Sequence, residues 1–139
     1  MFRSFLLFLD PILHPADRAR ALCLLLLVSL VIALLYGGTQ PAVAGLIPNP
    51  PWDKLAHMTV FGGFSVLACI VLGTRSNLAP LLVVLVIALM DEGLQYVTPG
   101  RTADVFDIMA DLTGAVTAML LYRLLQAQAF RLRPATSLR

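Results

Sequence analysis

Residues 91–111 read DEGLQYVTPGRTADVFDIMAD and form the most acidic part of an otherwise apolar sequence. They carry five carboxylates, one arginine and a Pro-Gly pair, and they lie between the apolar runs 78–90 and 112–125. An ionised carboxylate left alone at the centre of a membrane costs ~2.5–3.5 kcal/mol on insertion scales. These acids must therefore face one another, a cation, water or a ligand, and we look for function among them.

The composition of the whole chain indicates a membrane protein. Of its 139 residues, 59% are hydrophobic and 13% are charged, and the mean hydropathy is +0.86. A membrane-spanning helix needs about 20 apolar residues, whereas the strands of a membrane barrel alternate over roughly 10. We predict an all-α, polytopic membrane protein with four transmembrane helices, at about Ala19–Tyr36, Leu55–Gly73, Leu78–Val97 and Val105–Leu125.

The remaining segments flank this domain. Residues 1–18 are apolar but are interrupted by Pro11 and Pro15, which predicts a short segment at the membrane interface; a poorly ordered terminus is the alternative. Residues 19–125 form the membrane domain, and residues 126–139 form a basic cytoplasmic tail. Because Ala42-Val43-Ala44 resembles a cleavage site, a signal peptide is a second interpretation of the first span, although that span is longer than usual.

The basic residues predict the orientation, because cytoplasmic loops are rich in Lys and Arg. With both termini in the cytoplasm, eight basic residues lie inside, and only Lys54 and Arg101 lie outside. The eight are Arg3, Arg18, Arg20, Arg75, Arg123, Arg131, Arg133 and Arg139. We therefore expect a multi-pass membrane protein with both termini cytoplasmic. The net charge of +2 gives no reason to expect a nucleic-acid partner.

Polar residues recur on one face of each of the last three helices. Asp104, Asp107 and Asp111 have the spacing i, i+3, i+7. Asp91 with Gln95, and Asp53 with His57, have the spacing i, i+4. We expect these faces to share an outward-facing polar pocket formed by Asp53, Lys54, His57, Asp91, Glu92, Gln95, Arg101, Asp104, Asp107 and Asp111. Close helix contact is expected at the small residues Gly62, Gly63, Gly93, Gly114 and Ala118.

Four motifs resemble the VanZ-like family of small bacterial membrane proteins. They are D-K-x-x-H-x-x-x-F from Asp53, D-E-x-x-Q from Asp91, P-G-R from Pro99 and D-x-x-x-D-x-x-G-A from Asp107, and Gln40-Pro41 resembles a dipeptide of the first loop. The resemblance covers roughly residues 36–122. It implies a location in the bacterial inner membrane and a link to teicoplanin susceptibility, but no established reaction. Asp111 departs from the family pattern, which often has asparagine there.

Several roles are open for the individual residues. His57 is a candidate base or metal ligand, or a structural group hydrogen-bonded to Asp53 or to a carboxylate of a neighbouring helix. Asp91 is assigned to the pocket because it shares a face with Gln95, and Glu92 is given a more structural role. Arg101 either binds a phosphate or carboxylate or pairs with an acid such as Asp104 or Asp107. No spacing matches a zinc signature, so no metal or other cofactor is predicted.

Three functions are compatible with these residues. We favour a non-enzymatic protein of the cell envelope whose pocket binds a surface component and modulates teicoplanin susceptibility or envelope assembly. Its expected partners are membrane lipid and either a lipid-linked precursor or a glycopeptide, and an oligomer is compatible with the sequence. An intramembrane enzyme acting on a lipid-linked head group is the first alternative. An ion-coupled carrier is the second, although the inner halves of the second and third helices are almost wholly apolar.

Overall fold

The computed structural model of the chain describes residues 15–40, 51–73 and 76–132. These residues form four α-helices and no strand: α1 at Asp17–Gly38, α2 at Trp52–Leu72, α3 at Leu78–Val97 and α4 at Val105–Leu132. All four are long and apolar enough to cross a membrane. The predicted all-α fold with four membrane-spanning helices is confirmed.

The helix ends lie close to the predicted ends of the spans. α2 begins directly after Pro51, so Asp53 and Lys54 belong to its first turn, and it ends at Gly73, whose φ of 56° is left-handed as in many helix C-caps. α4 runs to Leu132, seven residues beyond the predicted Leu125. The structure describes only residues 15–18 of the predicted interfacial segment and residues 126–132 of the predicted tail. The rest of both segments, and Ala42-Val43-Ala44, lie outside the described residues.

Helix α2 is central, because it packs against the other three helices and makes its most extensive contact with α4. A Cβ added to Gly114 would lie 2.1 Å from the backbone oxygen of Met58, so the two helices touch backbone to backbone. Gly62 packs against Gly114 and Ala118 at the same crossing. Close contact through these three small residues is confirmed.

A hydroxyl group adds a polar contact to the α2–α4 interface. The Oγ atom of the fully buried Ser65 lies 2.9 Å from the carbonyl oxygens of both Gly62 and Ala115 and can donate to either. Serine hydroxyls commonly link membrane helices in this way. The interface is therefore held by close packing and by a hydrogen bond between the helices.

The expected helix contact at Gly63 and Gly93 is wrong. Both residues are exposed, and a Cβ added to either would meet no atom of the described residues within 4 Å. A lipid-facing glycine and an interface glycine occur in equally apolar surroundings, so the sequence alone does not distinguish them.

The polar residues lie at one end of the bundle. α2 begins, α3 ends and α4 begins at this end, so the first two turns of α2 and α4 stand beside the last two turns of α3. Away from it, the bundle is filled by apolar side chains, with α1 contributing Leu27 to a cluster that contains Phe61, Phe64 and Val84. The architecture thus collects most of the charged groups of the described helices above an apolar core.

Candidate functional site

Lys54 organises the acidic residues at the start of α2 and α4. Its Nζ atom lies 2.7 Å from Oδ2 of Asp104 and 3.4 Å from Oδ2 of Asp53, and it also donates a hydrogen bond to Asp107. The Lys54 side chain is 27% exposed, so these ion pairs are only partly screened by solvent. Three carboxylates, from the starts of α2 and α4, therefore share one ammonium.

Asp104 caps α4, and Glu92 holds that cap in place. Oδ1 of Asp104 accepts a hydrogen bond from the backbone N–H of Phe106 at 2.9 Å, as expected of an N-cap residue. The backbone N–H of Asp104 in turn donates to Oε2 of Glu92 at 2.7 Å. The hydrogen bonds from Lys54 and Phe106 hold the pKa of Asp104 below its usual range. Glu92 thus has the structural role that the sequence suggested.

A tight turn connects this cap to α3. The backbone N–H of Arg101 donates to the carbonyl of Thr98 at 3.1 Å, and Gly100 has a φ of 80°. Pro99 followed by a glycine with positive φ is the pattern of a type II turn. The turn fixes Arg101 between the end of α3 and the start of α4.

His57 links α2 to α4 deeper in the bundle. Its Nδ1 atom lies 2.9 Å from Oδ1 of Asp111, and its Nε2 atom lies 3.8 Å from Oδ1 of Asp107. The imidazole stacks on Phe61, with an angle of 9° between the ring planes. Asp111 has no exposed surface, and its Oδ2 atom has no hydrogen-bond partner in the described residues. The contact between His57 and a carboxylate of a neighbouring helix is therefore present.

The pairing of Arg101 with Asp104 or Asp107, one of its two possible roles, does not form in the described residues. Among the ion pairs of residues 15–40, 51–73 and 76–132, none includes Arg101. Lys54 occupies the position beside Asp104 and Asp107 instead, because it stands on the facing turn of α2. The Arg101 guanidinium contributes to the wall of a cavity.

This cavity lies between α1, α2 and α3 and has a volume of about 220 Å³. His57, Asp91, Gln95 and Arg101 form its polar wall. The rest of its wall comes from Ala33, Leu34, Gly37, Gly38, Ala56, Val60 and Phe61. Asp91 is 3% exposed, and its Oδ2 atom accepts a hydrogen bond from Nε2 of Gln95 at 3.1 Å. The structure thus brings Asp91 and Gln95 to one cavity, as their spacing suggested.

The sequence did not predict that α1 lines this cavity. A Cβ added to Gly38 would lie 3.3 Å from Oδ1 of Asp91, so the last turn of α1 approaches the carboxylate closely. The Gly37-Gly38 pair at the end of an apolar span was the available signal, since paired small residues permit such an approach.

The ten predicted residues therefore fall into two connected groups. Asp53, Lys54, Glu92, Asp104 and Asp107 form a network of ion pairs and hydrogen bonds that holds the helix ends together. His57, Asp91, Gln95 and Arg101 face the cavity, and Asp111 supports His57 from behind. In the described part of the chain, no group of three His, Cys, Asp or Glu side chains is placed to hold a metal ion.

The arrangement can bind a ligand through several kinds of contact. The cavity offers a carboxylate, an amide, an imidazole and a guanidinium beside an apolar surface. Few polar groups on a mostly apolar wall are typical of small-molecule sites. An imidazole oriented by a carboxylate can also accept or donate a proton.

Comparisons with known proteins give one match. The model of the family described as VanZ/LLP1 matches residues 13–126. No curated protein and no solved structure matches the chain.

Proposed function

This chain belongs to the VanZ/LLP1 family, and we propose that it is a protein of the bacterial cell envelope that binds a surface component in the cavity between α1, α2 and α3. In this proposal the bound component is a lipid-linked precursor or a glycopeptide, and binding modulates susceptibility to teicoplanin or the assembly of the envelope. The observation that carries the proposal is the cavity itself, in which His57 of α2, Asp91 and Gln95 of α3, and Arg101 of the following turn converge.

The orientation in the membrane is part of the proposal. The basic residues support cytoplasmic termini, because eight of ten fall on that side and only Lys54 and Arg101 fall on the other. The polar end then faces outward from the inner membrane. A surface component could reach Arg101 from that side, since this residue is partly exposed in the turn between α3 and α4.

Filling the cavity tests the proposal. Ala33 lines the cavity, whereas Ala21 on the same helix is exposed and does not. We expect Ala33→Phe to abolish the difference in teicoplanin susceptibility between a bacterium that expresses the protein and one that does not. Ala21→Phe, the matched control, should preserve that difference when the two variants are present in the membrane in equal amounts. Equal teicoplanin susceptibility of bacteria that express the two variants would contradict binding in the cavity.

A second candidate is an intramembrane enzyme that acts on a lipid-linked head group. The observation that favours it is the pairing of His57 with Asp111, in which a buried carboxylate orients an imidazole at the wall of a cavity. A histidine positioned in this way is a common general base. His57→Gln and Asp111→Asn keep hydrogen-bonding capacity but remove proton transfer, so they separate the two candidates.

A further inference from the structure

The cavity is lined by two opposite charges that act on each other across it but form no close ion pair within the described residues. Asp91 is buried and accepts a hydrogen bond from Gln95, but it forms no ion pair within the described ranges. Arg101 forms none either, so the two residues do not pair with each other although both line the cavity. A buried carboxylate in a membrane protein is expected to have a countercharge. A ligand can supply one to each residue.

The carboxylate of Asp91 is left accessible by a glycine. Gly38 stands beside it, and a Cβ at that position would lie 3.3 Å from Oδ1 of Asp91. Gln95 binds the other oxygen, Oδ2. Oδ1 is therefore the atom that a donor in the cavity can approach.

The remaining wall is apolar and belongs to membrane-spanning helices. Leu34 of α1 and Val60 of α2 both lie within the spans Asp17–Gly38 and Trp52–Leu72. The volume of about 220 Å³ is below the roughly 300–1,000 Å³ of pockets that enclose a drug-sized ligand. The cavity is thus suited to one part of a larger amphiphile, with the rest of that molecule remaining in the membrane.

We propose that the cavity binds a zwitterionic phospholipid with a primary ammonium and a phosphate, of the phosphatidylethanolamine class. The ammonium lies at Oδ1 of Asp91, the phosphate lies at Arg101, and the first part of an acyl chain lies against Leu34 and Val60. This inference rests on the proposed function, because the phospholipid would occupy the cavity in which the surface component is proposed to bind. Guanidinium groups bind phosphate through paired hydrogen bonds, and an ammonium has three donors for the carboxylate.

Other head groups fit the charges less well. An anionic phospholipid such as phosphatidylglycerol supplies a phosphate for Arg101 but leaves Asp91 without a cation. The nearby acids Asp107 and Asp111 make additional negative charge still less favourable. A simple cation would leave Arg101 unpaired. The zwitterion is the class that satisfies both charges at once.

Lipid binding to the full-length protein in detergent, measured by native mass spectrometry, tests this inference. Phosphatidylethanolamine and phosphatidylglycerol with the same acyl chains are added at equal concentrations, and phosphoethanolamine without chains is the third probe. We expect phosphatidylethanolamine to bind about tenfold more tightly than phosphatidylglycerol, as one charge-assisted hydrogen bond predicts. Phosphoethanolamine should bind more weakly still, because it makes no apolar contact. Equal binding of the two phospholipids would overturn the proposal.

Two substitutions test which residue binds the ammonium of the lipid and which binds its phosphate. Asp91→Asn should remove the preference for phosphatidylethanolamine over phosphatidylglycerol, whereas Arg101→Gln should weaken the binding of both lipids about tenfold. The matched controls are Asp17→Asn and Arg18→Gln, in the exposed first turn of α1, which should change neither affinity. If Asp91→Asn does not fold, Gly38→Ala covers Oδ1 of Asp91 and should reduce the same preference. If folded Asp91→Asn or folded Gly38→Ala keeps the full preference for phosphatidylethanolamine, the assignment of the ammonium to Asp91 is overturned.

The failure of this inference is distinguishable from failure of the proposed function. If the two phospholipids bind equally while Ala33→Phe still abolishes the effect on susceptibility, the zwitterion assignment is wrong and the binding function stands. If Ala33→Phe leaves susceptibility unchanged, the proposed function fails whatever lipid is bound.

Discussion

The Nδ1 atom of His57 lies 2.9 Å from Oδ1 of Asp111, which joins the second turn of α2 to the second turn of α4 inside the bundle. Asp111 is fully buried, and its second oxygen has no partner among the described residues. Such a pair depends on its hydrogen bond more than on the charge of the acid. An asparagine can keep that bond, because its side-chain oxygen also accepts a hydrogen bond from an imidazole N–H.

Asp111→Asn should therefore leave the stability of the protein close to that of the wild type, since an amide retains the shape and the hydrogen bond and removes a buried charge. Asp111→Leu should lower it by ~1–3 kcal/mol, the cost of leaving a buried polar partner unsatisfied. Thermal unfolding of both variants in the same detergent measures the difference. Equal unfolding temperatures would mean that His57 does not depend on Asp111.

Lys54→Met should destabilise the protein, because Asp53, Asp104 and Asp107 would lose their shared cation. The effect should be smaller than the ~3–5 kcal/mol of a fully buried broken pair, since 27% of the lysine side chain is exposed. Arg101→Met is the matched control and should have little effect on stability, as Arg101 forms no ion pair in the described residues. Thermal unfolding compares the two. A larger loss of stability for Arg101→Met than for Lys54→Met would contradict the ion pairs of Lys54.

Gly114→Ala should destabilise the α2–α4 interface strongly. The new Cβ would lie 2.1 Å from the backbone oxygen of Met58, so the two helices must move apart, and overpacking of this kind costs ~1–3 kcal/mol or more. Gly93→Ala is the control, because its Cβ meets nothing within 4 Å. The yield of folded protein and the unfolding temperature measure both variants. An unfolding temperature for Gly114→Ala equal to that of Gly93→Ala would show that the helices do not approach so closely.

The topology of the fold was predictable because apolar length alone identifies membrane helices. The predicted third span, Leu78–Val97, coincides with α3. Hydrophobic periodicity could not show which faces are inside, because a helix in lipid is apolar on all sides. Gly63 and Gly93 were assigned to interfaces for this reason, and the structure places both at the surface.

The candidate site was predictable only in part. Spacing identified Asp91 with Gln95 and placed His57 near the acids of α4, since charges in lipid must converge. Spacing could not show whether Lys54 or Arg101 would meet those acids, because that depends on which turn of α2 faces α4. The close approach of Gly38 to Asp91 was also hidden, as it follows from how α1 packs against α3.

The orientation predicts the behaviour of reporter fusions. Alkaline phosphatase, which is active only outside the cytoplasm, should be active when fused after Gly45 and inactive when fused after Arg139. A fluorescent protein that matures in the cytoplasm should be bright at Arg139. These outcomes follow from the distribution of Lys and Arg. Phosphatase activity at Arg139 would place Asp91 and Arg101 on the cytoplasmic side and contradict the outward-facing cavity.

The central claim is that the protein acts by binding in its cavity and not by chemistry. The most direct measurement is teicoplanin susceptibility with His57→Gln and Asp111→Asn, compared with the wild type at equal amounts of protein in the membrane and with thermal stability checked. Both substitutions keep hydrogen-bonding capacity, so binding predicts that most of the effect on susceptibility remains. Loss of a general acid or base typically costs ~10²–10⁴-fold in rate. Complete loss of the effect in both variants, with stability unchanged, would contradict the claim and favour the enzyme.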